Sequence, residues 1–204
     1  MEDIFQNTES EKKEKIINSA LEEFSKNSFD QASTNNIVEN AGISKGLLYH
    51  YFDSKKSLYE YLEVFAIKTM IDAIEKKVDW EQSDIFQRIK EIAIIKFKVF
   101  LKYPYLIEFS KTIYEDKSID QLKKMVEDYS PEIYSEVYYR NIDFSLFKDE
   151  LDIKKVIKIT QWVMEKLGEE WMNEKEKINK DFDVKELMGE IDDYLKLLKN
   201  AFYK

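Results

Sequence analysis

The chain has 204 residues, of which 44% are hydrophobic and 36% are charged, and its formal net charge is −9. This composition excludes a disordered chain and a membrane protein, and the polar, acidic start excludes a signal peptide, so we expect a cytoplasmic protein. The absence of cysteine excludes disulfides and thiolate chemistry. Four glycines and two prolines are too few for the turns of a sheet protein, so we expect an all-α fold.

The first predicted helix runs from about Glu11 to Lys26. Its apolar residues recur at intervals of three and four, which places them on one face of a helix. That face comprises Ile16, Ile17, Ala20, Leu21 and Phe24. The pattern is typical of a helix that packs one side against a core.

A glycine turn follows. A short second helix is predicted to begin at Ser33 or Thr34 and to end at Gly42, because glycine readily adopts the left-handed backbone that closes a helix. Ser44 can cap a third helix that continues to Phe52. Two short helices joined in this way form a helix-turn-helix unit.

The rest of the chain predicts longer helices. The segment Ile85–Tyr103 is apolar on nearly all sides, which indicates a central, buried helix. Polar residues near 76–84 indicate a break before it. A fourth helix is predicted to begin near Ser54, and a shorter one follows Pro104 and ends near Glu115. Another helix spans Ser118–Arg140, where Pro131 either ends its first half or kinks it. The last two predicted helices span about Asp152–Glu176 and Asp183–Phe202.

The last helix carries apolar residues at alternating spacings of four and three, the pattern of helices that pack along their length, and the penultimate helix has a similar apolar stripe. A four-helix bundle made by two copies of this pair would give a homodimer. The alternative is that both helices pack only within their own subunit. The residues predicted at the dimer interface are Val163, Leu167, Gly168, Trp171, Met188, Ile191, Leu195 and Leu198.

The third helix has an unusual exposed side. If Leu48 and Phe52 face the core, the side left to solvent carries Lys45, Gly46, Leu47, Tyr49, His50 and Tyr51. Lysines neutralise phosphates, tyrosine hydroxyls donate to them, and a glycine permits close approach to a groove. Residues 44–56 also hold three lysines against one aspartate. These features favour a DNA recognition helix, and the alternative is an amphipathic helix whose tyrosines meet another subunit.

The stretch ASTNNIVENAGISKGLLYHYFDSKKSL, together with the preceding amphipathic helix, resembles the DNA-binding region of the TetR family of bacterial transcriptional regulators. The resemblance covers about residues 12–62. It implies a polar tail at 1–10, a helix-turn-helix domain at 11–56 with its motif at about 33–52, and a helical effector-binding and dimerisation domain at 57–204. It also implies a homodimer, a palindromic double-stranded operator and a small-molecule effector.

The resemblance assigns roles to single residues. Thr34 would anchor a phosphate, and Asn35 stands where the family often has a basic, base-reading residue. The major-groove contacts would come from Lys45, Gly46 and Leu47, the phosphate contacts from Tyr49, Tyr51 and Lys55, and His50 could make either.

Three positions depart from the family pattern. Ser28 replaces the usual glycine after the first helix, which predicts a strained or altered turn. Asn35 suggests an adenine or water-mediated contact, and Leu47 suggests contact with a thymine methyl group. Together these substitutions predict an A·T-rich operator.

The resemblance places an effector site in the carboxy-terminal helices, which are rich in aromatic residues. Rings with a few polar groups suit an amphipathic or aromatic effector, and Glu108 and Glu165 offer partners for a cationic one. Alternatively, these rings simply form the core. The predicted ligand-binding residues are Phe97, Phe100, Tyr103, Phe109, Tyr134, Tyr138 and Trp162.

An enzyme is the main rival class. His50 is the only histidine, and four glycines cannot supply a glycine-rich phosphate loop, so we expect no catalytic residues, no cofactor and no metal site. The expected function is a ligand-responsive repressor. The alternatives are a family activator, or a helical interaction protein that has weak or lost DNA binding.

Overall fold

The computed structural model describes residues 10–178 and 184–204. The predicted tail at 1–10 lies outside these residues apart from Ser10, which begins the first helix. The described residues form an all-α fold, as predicted, with one short 3-10 turn at Phe144–Leu146. The helices are α1 Ser10–Lys26, α2 Thr34–Ala41, α3 Lys45–Tyr51, α4 Lys55–Lys77, α5 Ile85–Lys102, α6 Leu106–Asp116, α7 Ile119–Tyr129, α8 Ile133–Tyr139, α9 Ile153–Ile178 and α10 Val184–Phe202. Within the described ranges, no helix is both long and apolar enough to cross a membrane.

The chain divides into two compact units. The first contains the described residues up to Lys76 and the segment Lys96–Pro131, and the second contains Lys77–Ile95 and Glu132–Lys204. The sequence predicted a boundary at residues 56 and 57 instead. The grouping differs because buried residues of later helices, including Leu62 of α4 and Phe109 of α6, belong to the same core as α1 to α3.

The core of the first unit confirms the predicted inner face of α1. Phe24 is its central ring, since its centroid lies 5.0 Å from that of Tyr59 and 6.4 Å from that of Phe109. Edge contacts of this kind stabilise aromatic clusters beyond their buried area. The α1 residues buried in this core are Ile16, Ile17, Ala20, Leu21 and Phe24.

The glycine turn has the predicted geometry. Gly42 adopts the left-handed conformation at φ 65°, and the next amide, that of Ile43, donates to the Val38 carbonyl at 3.0 Å. Ser44 caps α3 by accepting from the Leu47 amide at 3.2 Å. The serine after α1 is not strained, because Asn141 is the only non-glycine residue with positive φ among the described residues. Of the two predicted alternatives for Ser28, the strained turn is therefore excluded, and the altered turn stays a prediction.

The second unit is built around the packing of α9 against α10. A buried arginine, Arg88 of α5, adds a polar anchor: its guanidinium donates to the carbonyls of Arg140 at 2.6 Å and Trp80 at 3.0 Å. It also donates to the carbonyls of Glu136, Val137 and Gln82. Because the last carbonyls of a helix have no partner within it, Arg88 closes the end of α8.

The structure decides one predicted alternative and corrects another prediction. The segment 118–140 is divided near Pro131 into α7 and α8, so the first half ends there, which is one of the two predicted outcomes. The helix predicted to be buried on nearly all sides, α5, has an exposed edge, since Leu101 is 58% exposed.

Candidate nucleic-acid interface

The start of α2 and the outer face of α3 form one continuous surface. The Lys45 ammonium donates to Asn35 Oδ1 at 3.0 Å, and the hydroxyls of Thr34 and Tyr49 lie 3.4 Å apart. Each contact joins one residue of α2 to one of α3. The structure thus brings together four of the residues predicted from the sequence to bind DNA, and we refer to Thr34, Asn35, Lys45 and Tyr49 as the α2–α3 surface.

The orientation of α3 follows from its one buried residue. Leu48 is buried in the core of the first unit, so the opposite side of the helix, with Tyr49 and His50, faces solvent. Gly46 is also exposed, and a Cβ built there would meet only Ser44 Oγ, at 4.0 Å. Packing within the chain therefore does not require a glycine at position 46.

The remaining predicted contacts lie on or beside this surface. Leu47 is half-buried, so only part of its side chain is presented to a groove. The rings of His50 and Tyr51 are in edge contact, with their centroids 5.4 Å apart. Tyr51 is half-buried and packs against the first core, which leaves His50 the more accessible of the two.

Lys55 has a role that the sequence did not indicate. Its ammonium donates to three backbone carbonyls between α1 and α2, those of Phe29 at 2.6 Å, Ala32 at 3.0 Å and Asp30 at 3.2 Å. An ammonium has three donors, so all three have partners here. In this conformation Lys55 fastens the start of α4 to the loop before α2, and the predicted phosphate contact would require it to exchange these bonds.

Glu23 was missed as a residue that positions the surface. This buried α1 carboxylate accepts from the Ser33 amide at 2.7 Å and from the Asn36 side-chain amide at 3.3 Å. It therefore caps the amino terminus of α2, where Ser33 makes no side-chain cap of its own. A buried carboxylate held in this way favours a helix start, because the dipole there attracts negative charge. In sequence, Glu23 looks like any other polar residue of α1.

The residues predicted to bind an effector fall into two groups. Tyr103 and Phe109 are core residues of the first unit, with ring contacts to Phe65 at 5.0 Å and Tyr59 at 5.4 Å. Phe97 is buried and Phe100 packs against the same core. In the second unit, Tyr138 packs against the core, whereas Tyr134 and Trp162 are more than half exposed.

The residues predicted at the dimer interface differ in how far their own chain covers them. Leu167, Ile191, Leu195 and Leu198 are buried in the core of their own chain, and Val163 and Met188 pack against that core. The four buried side chains are not available to a partner, whereas Val163 and Met188 are only partly covered by their own chain. The alternating spacing therefore describes the packing of α9 against α10 within one chain. Gly168 is exposed, and the side chain of Trp171 lies outside the described residues.

Other residues of α9 and α10 remain exposed. On α9 these are Ile159 and Trp162, and on α10 they are Tyr194 and Leu197. Trp162 is 57% exposed and Leu197 is 63% exposed, a large fraction for apolar side chains of their size. We call these four residues the exposed α9–α10 residues.

Comparisons with known proteins agree with this geometry. Residues 16–62 match the family model of bacterial regulatory proteins, tetR family. The chain is 28% identical over 198 residues to IcaR of Staphylococcus aureus, the HTH-type negative transcriptional regulator of the biofilm operon icaADBC. That alignment covers 94% of this chain and 99% of IcaR.

Solved structures share the fold. A TetR family transcriptional regulator from Chloroflexus aurantiacus superposes with a TM-score of 0.64 at 22% identity, covering 98% of this chain and 97% of that one. FadR of Bacillus subtilis in complex with stearoyl-CoA superposes with a TM-score of 0.56 at 18% identity, covering 90% and 96%.

Helices α2 and α3, joined at the Gly42 turn and packed on α1, form a helix-turn-helix unit of the kind that binds DNA. With the match at residues 16–62, this part of the chain is similar to the DNA-binding region of bacterial regulatory proteins of the tetR family. The relatives named above are regulators of transcription.

Proposed function

We propose that the chain is a homodimeric repressor that binds a palindromic operator and releases it when a small amphipathic or aromatic effector binds. The α2–α3 surface is the observation that carries the DNA-binding part, because hydrogen bonds already hold its side chains in one array. The name of IcaR, a negative transcriptional regulator, supports repression.

The phosphate contacts belong to the edges of this surface. Thr34 and Tyr49 present paired hydroxyls, and a hydroxyl can donate to a phosphate oxygen while accepting from its neighbour. His50 and Tyr51 extend the same edge along α3. Gly46 and Leu47 lie at the start of α3, where a close backbone approach and an apolar contact can face the groove.

We place the dimer contact on the exposed α9–α10 residues, because Leu167, Ile191, Leu195 and Leu198 are buried within their own chain. Large apolar side chains that remain exposed on neighbouring helices are typical of a protein–protein interface. A two-fold symmetric contact uses the same surface on both subunits, so Trp162 and Leu197 would each contribute twice. A dimer is needed because a palindromic operator presents two half-sites about one helical turn apart.

The proposed effector is amphipathic or aromatic. FadR, which shares the fold, is bound to stearoyl-CoA in its structure, and that ligand combines a long apolar chain with a charged head group. Within the first unit, Glu108 Oε2 is buried and has no hydrogen-bond partner among the described residues. This oxygen would accept a hydrogen bond from an effector, although Tyr103 and Phe109 would have to separate from their ring neighbours to admit one.

Selection of bound duplexes from a random pool tests the proposal. We expect enrichment of a two-fold symmetric sequence, and we expect stearoyl-CoA or a hydrophobic aromatic cation to reduce binding to it. Tyr49→Phe, which removes one hydroxyl, should weaken binding to all sequences, whereas the matched change Tyr139→Phe, at an exposed tyrosine of α8, should not. Failure to enrich any sequence would favour a helical interaction protein, and ligand-stimulated binding with increased transcription would favour an activator.

A further inference from the structure

The hydrogen bond between Lys45 and Asn35 decides which atoms of Asn35 face outward. An ammonium can only donate, so it must meet the carbonyl oxygen of the Asn35 amide, and Oδ1 is 3.0 Å from Lys45 Nζ. The Asn35 NH2 group, Nδ2, then points away from the lysine. It has no acceptor among the residues that the structure describes.

This arrangement removes the usual way in which asparagine reads adenine. That contact is bidentate, because Oδ1 accepts from the adenine N6 amino group while Nδ2 donates to N7. With Oδ1 engaged by Lys45, Asn35 offers only its two N–H donors. Lys45 adds its two remaining N–H donors, and both side chains are exposed.

The Asn35–Lys45 pair therefore presents donors alone. Among the base edges of the major groove, guanine offers two adjacent acceptors, N7 and O6. Adenine has one acceptor, N7, next to a donor, the N6 amino group. A donor-only pair fits guanine and meets the adenine amino group with a mismatched donor. The chain has two arginines, Arg88 and Arg140, and both belong to the second unit, so arginine does not read guanine from the α2–α3 surface.

We propose that Asn35 and Lys45 act as one unit that selects guanine at a fixed position of each half-site. The inference rests on the proposed function, that the α2–α3 surface binds operator DNA. It replaces the adenine contact expected for Asn35 from the sequence, and with it the prediction of a uniformly A·T-rich half-site. Leu47 remains available for a thymine methyl at a neighbouring position.

Selection from a random duplex pool, repeated with full-length variants, tests this. Wild type should enrich guanine at one position of each half-site by about tenfold or more over adenine. Lys45→Met releases Asn35 Oδ1, so the preference at that position should move from guanine to adenine. Asn35→Ala should keep the guanine preference, because Lys45 still donates, but with weaker affinity.

The outcomes separate the inference from the proposed function. Both side chains are exposed, so thermal unfolding should be nearly unchanged in the variants. Adenine enriched by wild type and lost in Asn35→Ala would overturn the inference while leaving operator binding intact. A guanine preference that survives Lys45→Met would also overturn it. If wild type enriches no sequence at all, the proposed function fails with it.

Discussion

Lys55 Nζ lies 2.6 Å from the carbonyl oxygen of Phe29 and 4.7 Å from the centroid of the same residue's ring. One ammonium thus bonds the backbone and lies over the aromatic face of one residue, which joins α4 to the segment that leads into α2. Because α2 and α3 carry the proposed DNA-binding surface, this contact links the orientation of that surface to the longest helix of the first unit.

The position of Lys55 predicts a mainly structural effect of mutation. In Lys55→Met, three carbonyls lose a charged donor, so the unfolding free energy should fall by about 1–3 kcal/mol. DNA affinity should fall as well, because the start of α2 is less firmly held. The log–log slope of affinity against salt should not change, since each phosphate contact contributes about −0.9 and none is lost.

Lys56 is the matched control for that experiment. It neighbours Lys55, but its side chain is 76% exposed and pairs only with Glu60 at 3.5 Å. Lys56→Met should therefore leave stability within about 1 kcal/mol of wild type. If the log–log slope of affinity against salt becomes shallower by about 0.9 in Lys55→Met, then Lys55 contacts a phosphate, as the sequence predicted.

Arg88 should be the more sensitive of the two arginines. Replacing Arg88 with lysine keeps the charge but removes the planar guanidinium that donates to the carbonyls of Arg140 and Trp80 at once. Buried carbonyl oxygens are then left without donors. We expect a loss of about 3 kcal/mol or more, measured by urea unfolding of the full chain. Arg140→Lys is the control: Arg140 is partly exposed and pairs with Glu136, so its loss should stay near or below about 1 kcal/mol. Equal losses for the two variants would contradict this assignment.

The contact between Asp84 and Tyr203 should make the unfolding free energy of the second unit depend on pH at both extremes. Burial tends to raise the pKa of Asp84, but hydrogen bonds from Lys199 and Tyr203 outweigh it and hold that pKa below its ordinary value. Burial and the charge of Asp84 raise the pKa of Tyr203. The Asp84 contribution is therefore present above the ordinary carboxyl pKa of about 4 and lost as the pH falls below it. The Tyr203 contribution is present below about pH 10 and lost as the pH rises further.

Urea unfolding as a function of pH separates these two contributions. Asp84→Asn should lower stability at neutral pH and flatten the decline below about pH 4, whereas Tyr203→Phe should flatten the decline above about pH 10. Asp149→Asn provides the control, since Asp149 is 91% exposed and pairs with Lys204 at the surface. Acid and alkaline profiles identical to wild type in both variants would show that this pair does not control pH stability.

The exposed α9–α10 residues predict where a dimer can be broken. Trp162→Glu and Leu197→Glu should each weaken self-association by about thirtyfold or more, because a central apolar anchor contributes about 2 kcal/mol. Analytical ultracentrifugation measures this directly. Leu101→Glu, on an exposed residue of the first unit, should leave the dimer intact. Leu195→Asp should lower stability, since that residue is buried within its own chain.

How much the sequence predicted depended on the range of each interaction. The α1 face, the Gly42 turn and the Ser44 cap depend on residues close in sequence, and each was predicted correctly. The Lys55 contacts with residues 29–32 depend on tertiary packing, so no local pattern indicated them. The spacing of Ile191 and Leu195 showed that α10 packs along a helix, but the same spacing serves a partner in the same chain or another one.

The candidate site shows the same division. Its residue types and their exposure on α3 could be read from Leu48 facing inward. The hydrogen bond from Lys45 to Asn35 joins residues ten positions apart across a turn, and the side-chain geometry that makes it was visible only in the structure. The role of Glu23 could not be predicted for a similar reason, because its partners Ser33 and Asn36 lie 10 and 13 residues later, beyond the loop that follows α1.

Fluorescence anisotropy of a labelled duplex carrying the selected sequence, titrated with full-length protein at several salt concentrations, tests the central claim that α3 lies in a DNA groove. Affinity should fall as salt rises, at a log–log slope of about −0.9 for each phosphate that a lysine neutralises. Tyr49→Phe should weaken binding at every salt concentration. An affinity that does not change with ionic strength, or that is the same for Tyr49→Phe and wild type, would contradict the account.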